Sequence, residues 1–214
     1  MIQPADKKLN WIVGITGASG SVYGVRLIEV LLQKGFNVHV VVSNAGWRVL
    51  HEELGWNITR REQALSEKFS DTAGSLIYHP VADIGATIAS GSFQVEGMVI
   101  APCSMGTLSG VAHGSSDNLM TRAADVMLKE GRPLVLVPRE TPLHAIHLEN
   151  MLKLARLGVK IIPAMPAFYF HPQRIEDLID FQVGKLLDSL RIDHELFTRW
   201  QGGAAAAVKL QPDL

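Results

Sequence analysis

An open, doubly wound α/β sheet is the fold this sequence predicts, and three observations predict it. Short, β-branched apolar runs recur at residues 11–15, 37–42, 97–101, 133–137 and 159–162. Each is too short for a helix and too uniformly apolar for a strand with one wet face, so each reads as a parallel strand covered on both sides. Amphipathic stretches separate the runs, so strand and helix patterns alternate five times, as crossover helices on a parallel sheet require. No repeat or interdomain linker interrupts the alternation. The reading is therefore α/β, a single-domain doubly wound parallel sheet of Rossmann-like or flavodoxin-like type over residues 11–192. Residues 1–10 are a polar lead-in, and residues 193–214 form a tail that is either mobile or an arm onto another subunit.

The first run leads into Thr16-Gly17-Ala18-Ser19-Gly20-Ser21 and a helix over 22–34 with Val25, Leu27, Ile28, Leu31 and Leu32 apolar. A small-residue turn at a helix start suits a phosphate, because backbone N–H groups and the positive dipole end face the ligand. The plain alternative is a tight turn that needs small residues. Gly14, Gly17 and Gly20 stand three apart, not in the dinucleotide spacing, and the second strand ends in Ser43-Asn44 with no acidic residue. A nicotinamide dinucleotide is disfavoured, a mononucleotide phosphate stays open, and no Walker pattern exists. Residues 45–54 read as a helix whose His51, Glu52 and Glu53 form a solvated face. Residues 55–81 are the least regular part, with one helix near 61–69. The loop 83–93 ends in Ala89-Ser90-Gly91-Ser92-Phe93, small enough to lie against a flat ligand or a neighbouring subunit.

The strand 97–101 runs into Pro102-Cys103-Ser104-Met105-Gly106-Thr107, a second hydroxyl-bearing helix start suited to an anion or a carbonyl-rich ring. Cys103 reads as packing, since no neighbour argues for thiolate activation. Asn118 and its neighbours are N-cap residues for a helix to Lys129 that carries Arg122 and Asp125. Pro138 cannot donate to a ladder and should end the pairing of strand 133–137. Arg139 and Glu140 follow it, where an open sheet places its ligands; they read as an anion clamp and proton mover, or as a surface salt bridge. After Pro142, Leu148, Met151, Leu152 and Ala155 are spaced as one apolar helix face. The aromatic, proline-rich segment 163–172 walls an apolar pocket or fills core, and 174–190 is a last amphipathic helix carrying Lys185.

A net charge of −1 and a pI near 6.7 exclude a global basic field, so no nucleic-acid partner is expected and any anion site must be local. A hydrophobic fraction of 47% supports a large core, and a charged fraction of only 19% points to a homo-oligomer that covers part of its surface. The single cysteine rules out an internal disulfide framework and a thiolate-rich zinc site. With neither a charged-then-apolar leader nor a membrane-length apolar run, the expectation is a cytoplasmic protein without a membrane partner.

Three strand ends thus carry ligand-like residues: the turn at Gly17 to Ser19, the turn at Ser104 to Thr107, and Arg139-Glu140. In this fold they can converge on one crevice. Thr16-Gly17-Ala18-Ser19-Gly20, Ala101-Pro102-Cys103-Ser104, Arg122-Ala123-Ala124-Asp125-Val126, Leu136-Val137-Pro138-Arg139-Glu140-Thr141-Pro142-Leu143 and Ile146-His147-Leu148-Glu149-Asn150-Met151-Leu152 resemble the UbiX-type flavin prenyltransferases. The resemblance implies that the chain binds FMN and needs no metal. It implies transfer of a dimethylallyl group from dimethylallyl monophosphate to N5 and C6 of reduced FMN. The prenylated FMN would pass to a UbiD-type decarboxylase, in ubiquinone synthesis or aromatic acid decarboxylation, and the assembly would be a dodecamer with its site between subunits. By position, the flavin and its phosphate would be held by Gly17, Ala18, Ser19, Ser43, Ser104, Met105, Gly106, Thr107 and Arg139. The prenyl phosphate would meet Arg122, Lys129, Glu140, Tyr169 and Lys185, and the catalytic set would be Glu140, Lys129, Glu53 and Ser19. Lys185 stands where the family commonly has arginine, which keeps the charge but loses the bidentate fork.

Two other readings share the fold. An FMN-dependent decarboxylase of the cysteine-peptide or phosphopantothenoylcysteine type would carry a Pro-x-Met-Asn-x-x-Met segment and an active-site histidine. No such segment occurs, and His51, His144 and His147 match no such pattern. A non-catalytic flavin carrier would bind flavin without any use for Lys129 or Glu140.

Overall fold

A computed structural model describes residues 9–199; the tail from residue 200 onward, expected to be mobile or an arm, lies outside the described residues. Six parallel strands form one sheet in the order β3-β2-β1-β4-β5-β6. In chain order the elements are β1 (Asn10–Ile15), α1 (Ser21–Gln33), β2 (Asn37–Val42), α2 (Asn44–Leu54), α3 (Arg61–Lys68) and β3 (Ser75–Pro80). A 3₁₀ turn (Thr87–Ala89) leads to β4 (Gly97–Cys103), α4 (Met105–Ala112), α5 (Leu119–Lys129), β5 (Leu134–Pro138), α6 (Ala145–Arg156), β6 (Lys160–Ile161) and α7 (Ile175–Leu190). This order is the Rossmann one and not the flavodoxin one, so the crevice where strand order reverses lies between β1 and β4.

The uniformly apolar runs are explained by burial on both faces. Val13, Ile15, Val38, Val40, Val99 and Val135 pack on one side with α1, α2 and α7. Ile12, Val41, Met98, Ile100 and Leu136 pack on the other with α4 and α5. α1 buries six large apolar side chains, from Val25 to Leu32, worth roughly 10 kcal/mol as an upper estimate at about 2 kcal/mol each. It is the most firmly held crossover.

Three expectations are corrected. Residues 75–80 form a sixth strand, pairing with β2 over its whole length; its edge position leaves it only half-buried, and its mixed sequence gives no continuous apolar run. Pro138 is the last residue of β5, opposite Cys103, because its carbonyl accepts from the Ala164 N–H at 3.3 Å and no donor is needed of it. Of the stripe on α6, only Met151 packs against the core. The buried residues of this helix are Asn150 and Leu154, while Ile146, Leu148 and Leu152 are 62%, 52% and 51% exposed. Among the described residues, no helix is long and apolar enough to cross a membrane.

A buried histidine pair lies within the sheet. His39 on β2 and His79 on β3 are buried, with Nδ1 of one 2.9 Å from Nε2 of the other and their rings stacked at 5.2 Å. Burial, with the charge of His79 second, lowers His39 from 6.5 to about 4. Burial lowers His79 as well, against the opposing charge of Asp83. The unfolded chain therefore takes up protons below pH 6.5 that the folded chain refuses until near pH 4, so this contribution is complete above pH 6.5 and lost on acidification through that window. Urea unfolding at stepped pH should show stability falling by on the order of 2 kcal/mol between these limits. A His39→Gln, His79→Gln double variant should lose most of that slope.

Candidate active site at the carboxyl edge of the sheet

The chain turns from β1 leftward to β2 and β3, then returns to β4 on the other side of β1. Thr16, at the end of β1 and almost fully buried, ties the two diverging ends together. Its hydroxyl donates to the Pro102 carbonyl at 2.7 Å and accepts from the Ser104 N–H at 2.8 Å. Ser104 then caps α4, its Oγ accepting from the Thr107 N–H at 3.3 Å. On the other flank the Ser43 N–H donates to the Ile15 carbonyl at 3.0 Å, and Ser43 Oγ caps α2 by accepting from the Gly46 N–H at 2.9 Å. Gly17 lies against the start of α2: a Cβ there would stand 2.5 Å from the Cβ of Ala45, so any side chain would push the turn and the helix apart.

The predicted flavin-site residues Gly17, Ala18, Ser19, Ser43, Ser104, Met105, Gly106 and Thr107 therefore all lie at the carboxyl ends of three neighbouring strands. Gly17, Ser19 and Gly106 are exposed, and a Cβ on Gly106 would meet no heavy atom within 4 Å. These small exposed residues leave the backbone open to a ligand at this edge.

The first turn of α1 is used differently from the phosphate cradle expected of it. Glu53, near the end of α2, reaches across to it. Its carboxylate accepts from the Gly20 N–H at 3.0 Å, the Ser21 N–H at 2.9 Å and the Ser21 hydroxyl at 2.8 Å. The anion at this helix start is the protein's own side chain, replacing the side-chain cap that Gly20 cannot supply. Burial opposes ionisation of Glu53, but a hydrogen bond from the Ser19 side chain and those from Gly20 and Ser21 together outweigh it and hold the carboxyl below its usual 4.5. Glu53 is thus no free member of a solvated face; it is joined to Ser19.

Arg139 and Glu140 follow β5 directly and line a cavity of about 280 Å³ with Leu143, Met151, Pro163 and Met165. They form no ion pair with each other. Glu140 accepts from the adjacent Thr141 N–H at 3.0 Å, and the Arg139 guanidinium makes no hydrogen bond or ion pair with another described residue. Its charge is felt by Tyr23, on the first turn of α1, whose hydroxyl burial pushes up while the Arg139 charge opposes the shift. Thr16 and Tyr23 went unassigned in the sequence. A polar residue ending a buried run was a usable signal for Thr16; nothing local marked Tyr23. Larger cavities of about 440 and 650 Å³ open at the opposite edge of the sheet, but none of the predicted site residues lines them.

The expected prenyl-phosphate residues are not brought together. Arg122 on α5 donates through Nε to the Ala89 carbonyl at 3.1 Å and pairs with Asp125 at 3.0 Å. Lys129, ending α5, pairs with Glu130 beside Gly91. Lys129 precedes β5 whereas Arg139 follows it, so the length of the strand, about 17 Å for five residues, separates them. Tyr169 and Lys185 lie with α7, across the sheet from α5. Tyr169 stands edge-on to Phe181 at 6.0 Å, and Lys185 is one helical turn beyond Phe181. Cys103 is fully buried, which pushes its thiol far above the thiolate range, so it is packing. Among the described residues, no cluster of three or more His, Cys, Asp or Glu is placed to hold a metal.

Replacing Glu53 by Ala leaves the first amides of α1 without their acceptor and should cost about 1–2 kcal/mol in thermal or urea unfolding. Because the carboxyl lies below its usual value when folded, the contribution is present above pH 4.5 and lost as pH falls further. The wild type and Glu53→Ala should therefore converge in stability in strong acid.

The flavoprotein family model matches residues 3–192. The flavin prenyltransferase UbiX of Alkalihalophilus pseudofirmus is 60% identical over 188 residues, 88% of this chain and 94% of that protein. Among solved structures, AnUbiX (PadA1), in complex with FMN and dimethylallyl pyrophosphate, is 38% identical with a TM-score of 0.85 and covers 92% of this chain and 100% of its own. A dodecameric FMN-dependent UbiX-like decarboxylase from Escherichia coli O157:H7 is 43% identical with a TM-score of 0.82, covering 91% and 100%. With a family match over nearly the whole described fold and relatives this close in sequence, the chain belongs to the flavoprotein family and, within it, to the UbiX-type flavin prenyltransferases.

Proposed function

We propose that this protein is a flavin prenyltransferase, moving a dimethylallyl group from dimethylallyl monophosphate to N5 and C6 of reduced FMN and supplying prenylated FMN to a UbiD-type decarboxylase. The observation that carries the reading is the near-full-length likeness to a flavin prenyltransferase. Reduced FMN, when bound, supplies the nucleophilic positions that accept the prenyl group. Gly17, Ala18, Ser19, Ser43, Ser104, Met105, Gly106 and Thr107 would hold the flavin. Arg139, a guanidinium without a partner among the described residues, would clamp its phosphate.

Breaking the allylic C–O bond sends negative charge onto the departing phosphate, which Arg122, Lys129 and Lys185 would stabilise, with Tyr169 as hydrogen-bond donor. Leu143, Met165 and the aromatic segment would keep water from the reacting carbon. Glu140, whose carboxylate faces the cavity without an ion pair, would accept the proton lost when the second bond forms, or the released phosphate would. Glu53 and Ser19 would set the position of the turn beneath the ring.

This division of labour needs more than one copy of the chain. Lys129 with Arg122, Tyr169 with Lys185, and Arg139 with Glu140 occupy three separate regions of the protomer, so the reading supported is a site shared between subunits of a dodecamer. The exposed Ile146, Leu148 and Leu152 of α6 continue from Leu143 at the cavity rim and suit such a contact. A cytoplasmic location accords with a lone, buried, reduced cysteine.

Anaerobic incubation of the purified protein with reduced FMN and dimethylallyl monophosphate should yield a flavin heavier by one five-carbon unit on mass analysis. Unmodified FMN, with either the monophosphate or the pyrophosphate, would overturn the assignment. Arg139→Ala should weaken FMN binding about 10- to 100-fold, the loss of a charge-assisted hydrogen bond pair, whereas Glu140→Gln should retain flavin and abolish turnover. Lys129→Ala and Glu140→Gln proteins, each inactive alone, should recover part of the activity when co-expressed, because mixed assemblies contain sites with both residues intact.

A further inference from the structure

The last described segment of the chain folds back onto α7 and is clipped there at two points. Gly184 leaves room for the ring of Phe197, which stands where a Cβ would come within 2.4 Å of Cε1. Arg199 then makes a two-pronged ion pair with Asp188, its Nη2 2.7 Å from Oδ1 and its Nη1 3.1 Å from Oδ2. The Arg199 guanidinium also lies 5.7 Å over the Phe197 ring. His194, its side chain buried, adds a third contact to Oδ1 at 3.1 Å. Lys185, one turn before Asp188, is left at 3.9 Å from Oδ2 with half its side chain exposed.

Lys185 and Asp188 stand three apart on a helix, a spacing at which an ammonium and a carboxylate ordinarily pair. A lysine held by that carboxylate would offer little net charge to a phosphate. Arg199 fills both carboxylate oxygens with a planar fork that an ammonium cannot match. We infer that Arg199 is a positioning residue for the prenyl phosphate: by occupying both oxygens of Asp188 it limits Lys185 to a loose 3.9 Å ion pair without a hydrogen bond, and leaves its half-exposed ammonium available to the donor's phosphate. The inference rests on the proposed role of Lys185 and extends it to residues that never touch the donor. Hydrogen bonding from Arg199 holds the Asp188 carboxyl below its usual range, which favours the anion that competes for Lys185.

Steady-state prenylation of reduced FMN by the full-length chain tests this. Arg199→Ala should raise KM for dimethylallyl monophosphate about tenfold with kcat within twofold of wild type, and FMN affinity unchanged. Removing the competitor as well, in Asp188→Asn, Arg199→Ala, should bring KM back to within about twofold of wild type. Lys185→Ala should raise KM and abolish any further effect of Arg199→Ala. An unchanged KM in Arg199→Ala, or a double variant no better than the single one, overturns the inference while leaving the prenyltransferase reading intact. If a variant loses the packing of Phe197 and unfolds, Arg199→Lys, which keeps one prong, must show an intermediate KM; wild-type KM in that variant also overturns it. A wild-type chain that forms no prenylated flavin overturns both.

Discussion

Burial of a parallel sheet from both sides is the constraint on which the rest of the molecule depends. Along β1, β4 and β5 there is no wet face, and an unpartnered polar side chain there would cost several kcal/mol. Hydroxyls, carboxylates and guanidinium groups are therefore displaced to the strand ends, where Thr16, Ser43, Ser104, Arg139 and Glu140 stand. The buried histidine pair within the sheet, His39 and His79, lies on β2 and β3 and is tolerated because each imidazole is the other's partner.

The same constraint sets where each helix begins and ends. A crossover helix runs antiparallel to its strands, so its first turn lies near the carboxyl edge and its last near the amino edge. Ser43 and Ser104 are first-turn caps and face the crevice; Lys129 is a last-turn residue and lies at the far end of the sheet. No side-chain rotation bridges the length of β5. A reaction that needs Lys129 and Glu140 at one prenyl phosphate requires a second copy, and a low surface charge with an apolar stripe on α6 is the composition such packing favours.

Two carboxylates of the protomer are matched internally. Glu53 is spent on the start of α1 and Asp188 on Arg199. Among the predicted phosphate-binding cations, Arg139 has no partner among the described residues and Lys185 only a loose ion pair at 3.9 Å. In a chain of net charge −1 the ability to hold phosphates comes from this internal bookkeeping and not from an overall field.

Periodicity alone determined five of the six strands, the crossover helices and the carboxyl-edge location of Gly17, Ser104, Arg139 and Glu140, because burial on both faces leaves an unmistakable apolar run followed by an abrupt polar end. β3 escaped it, since an edge strand with residues such as Ser75, His79 and Pro80 need not be uniformly apolar. The orientation of α6 also escaped it: spacing shows that Leu148 and Leu152 share a face but cannot say whether core or neighbour covers that face. Glu53 looked like one carboxylate among exposed neighbours, and only the crossing of α2 over the first turn of α1 gave it three donors. The strand order, the separation of Lys129 from Arg139 and the pairing of Arg199 with Asp188 were likewise decided by tertiary structure. Each depends on how the packed sheet arranges separate segments, and a period of two or 3.6 residues carries no information about contacts between different elements.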